Sequence, residues 1–142
     1  HGRKLMSKKN LMCLDVGIRR IGVALADSAV KIAVPFTTIE TNEENNSEIK
    51  EINQIIVREK IDILVVGLPR NLSGEETAQS VYTKNFAENF RMSVDDIVFQ
   101  DESLTSVQAE DLLKSYKKPY TKGDIDMHAA AIILQDYLEE NF

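Results

Sequence analysis

Three short apolar runs near the start of the chain have the spacing and composition of β-strands. Residues 11–16 are almost continuously apolar, residues 20–26 alternate Ile, Val and Leu with Gly and Ala, and residues 30–39 are rich in β-branched side chains. Only short segments separate the three runs. Consecutive strands joined in this way usually pair side by side, so the pattern predicts an antiparallel three-stranded meander.

The rest of the chain alternates between helical and strand patterns. Isoleucines recur at helical spacing within residues 47–60, and a continuous apolar run, typical of a buried central strand, follows at residues 62–66. A shorter apolar run at residues 97–99 predicts a fifth strand. The remaining predicted elements are a helix opened by a capping box of Ser73 and Glu76, a helix opened by Thr105 and Gln108, and a last helix over about residues 126–140.

Each of these later helices has an apolar side that we expect to face the core. The expected inward positions are Ala78, Val81, Tyr82, Phe86 and Phe90 in the first, Ala109, Leu112, Leu113 and Tyr116 in the second, and Ala130, Ile133, Leu134 and Tyr137 in the last. Residues 117–123 are basic, contain Pro119 and have no apolar period. This segment is therefore predicted to be a mobile loop.

Strands that alternate with helices after a meander predict an α/β fold. We expect a mixed five-stranded sheet, with an antiparallel meander and further parallel strands, flanked by helices on its faces. A length of 142 residues with 43% hydrophobic content fits a single domain over residues 1–142. The five residues before Met6 show no periodicity, and we expect them to be left over from cloning.

The overall charge gives little support for a nucleic-acid partner. The net charge is −6, whereas affinity for phosphate comes from Lys and Arg. The basic residues are nevertheless clustered, with Arg19 and Arg20 in one group and Lys117 and Lys118 in another. Such clusters are more often solvated surface than binding sites, but a local basic patch remains an open alternative.

Two features of the composition indicate the compartment. The single cysteine, Cys13, excludes an internal disulfide and fits a reducing environment. No apolar run approaches the roughly 20 residues that cross a bilayer, and no signal peptide is recognisable. We therefore expect a soluble, cytoplasmic protein with no membrane partner.

Four acidic residues lie at the ends of predicted elements. Asp15 is near the end of the first strand, Asp101 and Glu102 directly follow the fifth, and Asp126 begins the last helix. In such sheets, functional groups collect where strands end in loops. A charge on a central strand costs several kcal/mol unless it is paired or bound to a cation. The pattern therefore predicts a site for a divalent ion, for which carboxylates are suitable ligands.

Each acid also has a structural interpretation that remains open at this point. Asp126 or its neighbour Asp124 could cap the last helix, and Asp101 with Glu102 could be first-turn acids of the helix that follows. Asp15 could be a turn residue that accepts a backbone N–H near Gly17. The loop at residues 67–74 precedes a predicted helix N-terminus, where phosphate can bind, but this signal alone is weak.

Four motifs in fixed order resemble those of the RuvX (YqgF) family of ribonuclease H-like nucleases. The matching stretches are LDVGIRRIGVALAD at residues 14–27, VVGLPRNLSG at 65–74, DESLTS at 101–106 and DMHAAAIILQDYL at 126–138. Members of this family are described as Holliday junction resolvases or pre-16S rRNA nucleases. The resemblance implies a bacterial cytoplasmic protein with a ribonuclease H-like fold and metal-dependent cleavage of structured nucleic acid.

Carried over by position, the resemblance assigns candidate roles to individual residues. It makes Asp15, Glu102 and Asp126 the catalytic residues and, with Asp101, the ligands of Mg²⁺ or Mn²⁺. The nucleic-acid contacts that we expect are Arg19, Arg20, Arg70, Asn71, Lys117 and Lys118. The chain departs from the family pattern at Ser73, where the family usually has Asp, at Ser103, where it has Arg, and at Ser106, where it has Thr. The change at position 103 removes a candidate phosphate contact.

The function that the resemblance favours is an endonuclease that processes the 5′ end of precursor 16S rRNA. The first alternative is a Holliday junction resolvase, which would act as a symmetric homodimer, although no dimer surface is recognisable in the sequence. The second is a non-catalytic RNA-binding module of ribosome assembly. A third is an actin-like ATPase or sugar kinase, but those enzymes hold nucleotide between two related halves and this chain has the length of one.

Overall fold

Five strands form one sheet in the order β3-β2-β1-β4-β5. The computed structural model describes residues 7–69, 76–102 and 105–142. The predicted cloning remnant and the predictions for Arg70, Asn71, Ser73 and Ser103 therefore lie outside the described residues. The strands are β1 (Asn10–Val16), β2 (Arg20–Asp27), β3 (Val34–Glu40), β4 (Ile63–Pro69) and β5 (Asp96–Glu102).

The pairing of the strands confirms the predicted mixed sheet. β1 pairs antiparallel with β2, and β2 pairs antiparallel with β3, as expected for a meander. β4 lies parallel to β1, and β5 lies parallel to β4. β3 begins four residues later than predicted because Asp27 Oδ1 accepts the backbone N–H groups of Ala29 and Val30, which closes a turn after β2.

Four helices are found in the described part of the chain: α1 (Ser47–Arg58), α2 (Ala78–Ala87), α3 (Thr105–Ser115) and α4 (Lys122–Asn141). α1 agrees with its prediction. α2 begins later than the predicted Ser73–Glu76 box implies, because Thr77 is its N-cap. The Thr77 hydroxyl accepts the N–H of Ser80, and the Ser80 hydroxyl accepts the N–H of Thr77. A 3₁₀ turn, Glu88–Phe90, continues this helix.

The last helix begins four residues earlier than predicted, so Asp126 is not its first residue. Thr121 caps α4 and forms a capping box with Asp124, whose carboxylate accepts the Thr121 N–H. Lys122 and Gly123, which were expected in a mobile loop, are therefore helical. The capping role falls to Asp124, and Asp126 lies in the second turn of the helix rather than at its start.

Helices cover both faces of the sheet and form two apolar layers. On one face, α1 packs against the sheet through Ile52 and Ile56, and the 3₁₀ turn after α2 packs there through Phe90. On the other, α4 buries Ile133 and Leu134 against the strands. This arrangement leaves the carboxyl ends of the parallel strands β1, β4 and β5 together at one edge of the sheet.

Five side chains predicted to face the core are exposed instead, and the first of them is Ala78 at the start of α2. Val81 and Tyr82 lie on the surface because α2 contacts the core mainly through its last turn and the following 3₁₀ turn, where Phe86 and Phe90 are buried. In α3, Leu112 and Tyr116 are exposed because this helix packs against α4 and buries a narrower stripe, of which Ala109 and Leu113 are part.

Candidate active site

Asp15 and Glu102 lie on the same face of the sheet, under α4. Asp15 follows Leu11 and Cys13 along β1, and both of those residues pack against α4. On β5, Gln100 donates a hydrogen bond to Glu140 of α4, with Nε2–Oε2 at 2.8 Å. Because side chains alternate along a strand, Glu102 points to the α4 face as well.

The same alternation directs Asp101 to the opposite face of β5. Asp101 is exposed, while its neighbours Gln100 and Glu102 are at least partly buried. The structure therefore separates Asp101 from Glu102, although the two are adjacent in sequence. Asp101 is thus turned away from the acid pair, and its role as a metal ligand stays a prediction.

Gly67 on β4 provides the space that the Glu102 carboxylate occupies. β4 lies between β1 and β5. A Cβ atom on Gly67 would lie 2.9 Å from Glu102 Oε2 and 2.8 Å from Ile133 Cδ1. These distances are too short for a side chain, so any larger residue would displace the carboxylate. The glycine thus allows Glu102 to reach across β4 towards Asp15.

Gly22 on β2 has the corresponding role for Asp126. Gly22 is the cross-strand partner of Asp15. A Cβ atom on Gly22 would lie 2.0 Å from the carbonyl oxygen of Asp126 and 2.9 Å from the backbone nitrogen of Met127. The backbone of α4 therefore contacts β2 directly at this point, which brings Asp126 close to Asp15.

The carboxyl groups of Asp15 and Glu102 form a hydrogen-bonded pair. Burial raises the pKa of Asp15 from its ordinary 3.8 to about 8, and the charge of Glu102, its hydrogen bond and the charge of Asp126 act in the same direction. Burial also raises the pKa of Glu102, whereas hydrogen bonds with Asp15 and Thr105 lower it. Burial and the charges of its neighbours thus favour the protonated form of Asp15 in this pair.

The neighbouring Cys13 responds to the same environment. Burial is the main cause of a strongly raised pKa of its thiol, and the charges of Asp15 and Glu102 raise it further. The thiol therefore stays protonated at neutral pH, and Cys13 behaves as a small core residue.

The raised pKa of Asp15 predicts a pH-dependent stability of the metal-free protein. Since the folded state binds this proton more tightly than the unfolded state, the stabilisation is complete below about pH 4 and is lost as the pH rises through about 8. We expect the free energy of unfolding of Asp15→Asn, minus that of wild type, to increase over this range. Urea unfolding in chelator at several pH values measures this difference in the free energy of unfolding. A difference that does not change with pH would contradict the raised pKa of Asp15.

Asp126 makes an ion pair with Arg20. Arg20 Nε donates to Asp126 Oδ2 at 2.6 Å, and the two side chains are 33% and 21% exposed. Asp126 is thus near Asp15 but turned towards the guanidinium group. Among the described residues, no group of three His, Cys, Asp or Glu side chains is arranged as a metal-binding cluster. The predicted trio is therefore gathered in one region, with two members paired and the third held by an arginine.

The donor set of the acid pair nonetheless suits a divalent cation. Glu102 Oε2 is buried and has no hydrogen-bond partner. A buried, unsatisfied carboxylate oxygen is costly, and it lies beside a carboxyl group that burial and a neighbouring charge keep protonated. A divalent ion would satisfy the oxygen and remove the repulsion between the two groups. Mg²⁺ commonly uses only one or two carboxylates and keeps water in its other positions.

A cleft of about 410 Å³ opens beside these acids. Glu102 and Asp126 line it, together with Arg19 from the turn between β1 and β2 and Arg20 at the start of β2. Two of the predicted nucleic-acid contacts are therefore at the cleft. The other described pair, Lys117 and Lys118, is exposed between α3 and α4, and neither residue lines the cleft.

Two polar residues at this site were not recognised as functional from the sequence. Gln79 of α2 lines the cleft and donates a hydrogen bond to the carbonyl oxygen of Val16, with Nε2–O at 3.1 Å. Thr105 is buried at the start of α3 and hydrogen-bonds Glu102, although its sequence pattern predicted a helix cap. The position of Thr105, three residues after Glu102, could have indicated that it lies near the acid. No feature of the sequence indicates a role for Gln79.

A second cleft, of about 400 Å³, lies at the opposite end of β1 next to Asn10. Its walls are mainly apolar, and the carboxylates that line it have local partners. Asp27 accepts backbone N–H groups of the turn after β2, and Glu59 pairs with Arg58 at 3.3 Å. This cleft therefore lacks the strained acid pair that distinguishes the first.

Within residues 7–69, 76–102 and 105–142, no helix combines the length and the apolar character needed to cross a membrane.

Comparison with known proteins supports the same family. A family model described as "RuvX: Holliday junction resolvase" matches residues 9–140. A protein of Sulfurihydrogenibium sp. named "Putative pre-16S rRNA nuclease" is 42% identical over 132 residues, which cover 91% of this chain and 89% of that protein. One of the same name from Synechocystis sp. is 40% identical over 138 residues, which cover 94% and 90%.

Solved structures that are similar to this one have the same fold. RuvC of T. thermophilus in complex with a Holliday junction substrate has a TM-score of 0.59 and 12% identity, and the match covers 93% of this chain and 94% of that one. The fowlpox virus Holliday junction resolvase has a TM-score of 0.51 and 13% identity, with 94% and 99% covered. The mixed sheet is thus that of the ribonuclease H-like resolvases, and the chain belongs to the RuvX family.

Proposed function

We propose that this chain is a single-domain, metal-dependent endonuclease that processes the 5′ end of precursor 16S rRNA in the cytoplasm. The observation that carries the proposal is the buried Asp15–Glu102 pair, with its unsatisfied Glu102 oxygen, at the edge of a cleft lined by arginine. The relatives named as pre-16S rRNA nucleases support the choice of RNA.

The residues at the cleft would have different roles in cleavage. Asp15 and Glu102 would hold Mg²⁺ or Mn²⁺, with Asp126 as a further ligand within reach. When bound, such an ion polarises a phosphoryl oxygen and makes a coordinated water molecule a better nucleophile. Thr105 and Gly67 hold Glu102 in position, while Arg19 and Arg20 would bind backbone phosphates on the solvent side.

A Holliday junction resolvase remains the second candidate function. The family description and the similarity to a RuvC structure that holds a junction favour it. At 12% identity, however, that similarity concerns the fold. A junction is two-fold symmetric, so this function would also require a symmetric homodimer.

The experiment that tests the proposal compares substrates with and without metal. The protein is incubated with a precursor 16S rRNA 5′ segment, a four-way DNA junction and single-stranded controls, in Mg²⁺, Mn²⁺ or chelator. We expect metal-dependent cleavage of the precursor RNA. Cleavage of the junction alone would support the resolvase, and binding without cleavage of any substrate would support the non-catalytic module.

Two adjacent carboxylates provide a matched pair of variants for this assay. Glu102→Gln should lower the cleavage rate by more than about a hundredfold, because it removes a metal ligand. Asp101→Asn removes the same charge from the next position on the opposite face of β5 and should retain most of the activity. Equal losses in the two variants would contradict the placement of the site on the α4 face.

A further inference from the structure

Among the ion pairs of the described residues, that of Arg20 and Asp126 lines the same cleft as Glu102. Their 2.6 Å contact joins residues 106 positions apart in sequence, one on β2 and the other on α4. Both line the cleft, and both side chains are partly buried. The charge of Asp126 is among the causes that raise the pKa of Asp15, so the ion pair and the acid pair share one electrostatic environment.

The main chain fixes both ends of this ion pair. The Gly17 N–H donates to the Arg20 carbonyl oxygen at 3.0 Å, and Arg20 pairs with Glu40 of β3 in the sheet. Two residues further along β2, Gly22 is in direct contact with the backbone of Asp126. The guanidinium and the carboxylate therefore meet because two packed elements bring them together, unlike most ion pairs between flexible surface side chains.

We propose that Arg20 is a positioning residue that competes with the divalent metal for Asp126. In the metal-free protein, the guanidinium neutralises Asp126 and holds its carboxylate away from Asp15 and Glu102. When these two residues bind a metal, Asp126 turns to the ion and Arg20 is released. This inference rests on the proposed function, because it requires a metal at the acid pair.

The exchange also links metal binding to substrate binding. An arginine released from Asp126 can make two parallel hydrogen bonds to a backbone phosphate. A phosphate that binds Arg20 would in turn free Asp126 for the metal. By linkage, each ligand then strengthens the binding of the other by the same factor.

Metal affinity in a double-mutant cycle tests the competition. Mn²⁺ binding is measured by isothermal titration calorimetry on the full chain of wild type, Arg20→Gln, Asp126→Asn and the double variant, without nucleic acid. Loss of a partly buried ion pair predicts that Arg20→Gln binds Mn²⁺ about fivefold more tightly. In the Asp126→Asn background, the same change should have no effect.

Arg19→Gln is the matched control, because it removes the same charge from the adjacent position and leaves the ion pair intact. Its Mn²⁺ affinity should stay within about twofold of that of wild type. Arg20→Lys, which keeps the charge, should have an intermediate affinity and provides a second, milder variant. Circular dichroism confirms that each variant is folded.

Three outcomes would overturn the inference. If Arg20→Gln raised the Mn²⁺ affinity equally in the Asp126→Asn background, or if Arg19→Gln raised it as much, the loss of a positive charge alone would explain the effect. Unchanged or weaker Mn²⁺ binding by Arg20→Gln, while wild type binds normally, would refute the competition and leave the proposed function intact. Absence of Mn²⁺ binding by wild type would overturn the proposed metal site and this inference together.

Discussion

Asp15→Asn is expected to abolish cleavage while it stabilises the metal-free protein. Asparagine has the shape of the protonated aspartic acid that burial and Glu102 favour at this position, so it removes the repulsion without leaving a cavity. The gain in the free energy of unfolding should be about 1 kcal/mol in chelator. Activity should fall by more than about a hundredfold, because the side chain can no longer act as an anionic metal ligand.

Thermal unfolding with and without metal measures both parts of this prediction. Wild type should gain stability on addition of Mn²⁺, because the ion binds the folded state, and Asp15→Asn should lose most of this gain. Glu59→Gln is the control, since Glu59 lies at the other end of the sheet and makes an exposed contact with Arg58. An Asp15→Asn protein that is less stable in chelator, or that keeps the full metal effect, would refute the account of the acid pair.

Gly22→Ala is expected to cost about 3 kcal/mol of stability and to lower activity. The new Cβ atom would lie 2.0 Å from the Asp126 carbonyl oxygen and 2.4 Å from its carbonyl carbon. Because these are backbone atoms, no rotation of a side chain can relieve the overlap. The first half of α4 must move away from β2, and Asp126 moves with it.

Gly123→Ala is the matched control for this prediction. Gly123 lies in α4, the helix that also carries Asp126. The nearest atom to a Cβ atom added at Gly123 is 3.5 Å away, which is an ordinary contact. Alanine should be tolerated there and could add up to about 1 kcal/mol through its higher helix propensity. Urea unfolding and a cleavage assay compare the two variants. Wild-type stability and activity in Gly22→Ala would contradict the close contact between α4 and β2.

The strands and α1 were predictable because their patterns are local. The continuous apolar run of β4 and the isoleucine spacing of α1 both follow from burial at fixed periods, and the structure has each element at nearly the predicted residues. The helix faces were harder, since an apolar stripe does not reveal how much of it a neighbour will cover. Val81 and Leu112 show this, because each belongs to an apolar stripe of which only part reaches the core.

The sequence indicated the acids of the site but could not give their arrangement. Motif resemblance pointed to Asp15, Glu102 and Asp126, whereas the separation of Asp101 follows only from the strand alternation in β5. The ion pair between Arg20 and Asp126 depends on how α4 crosses β2, and no local pattern encodes a contact between residues 106 positions apart. Gly22 and Gly67 matter for the same reason, since their role is the space that they leave for other elements.

The most direct test of the central claim is an anomalous-scattering map from crystals soaked in Mn²⁺. The account predicts a peak within coordination distance of carboxylate oxygens from both Asp15 and Glu102, at the edge of the cleft. No peak at this position, in crystals of a protein that cleaves RNA in Mn²⁺, would contradict the claim that these two carboxylates hold the ion.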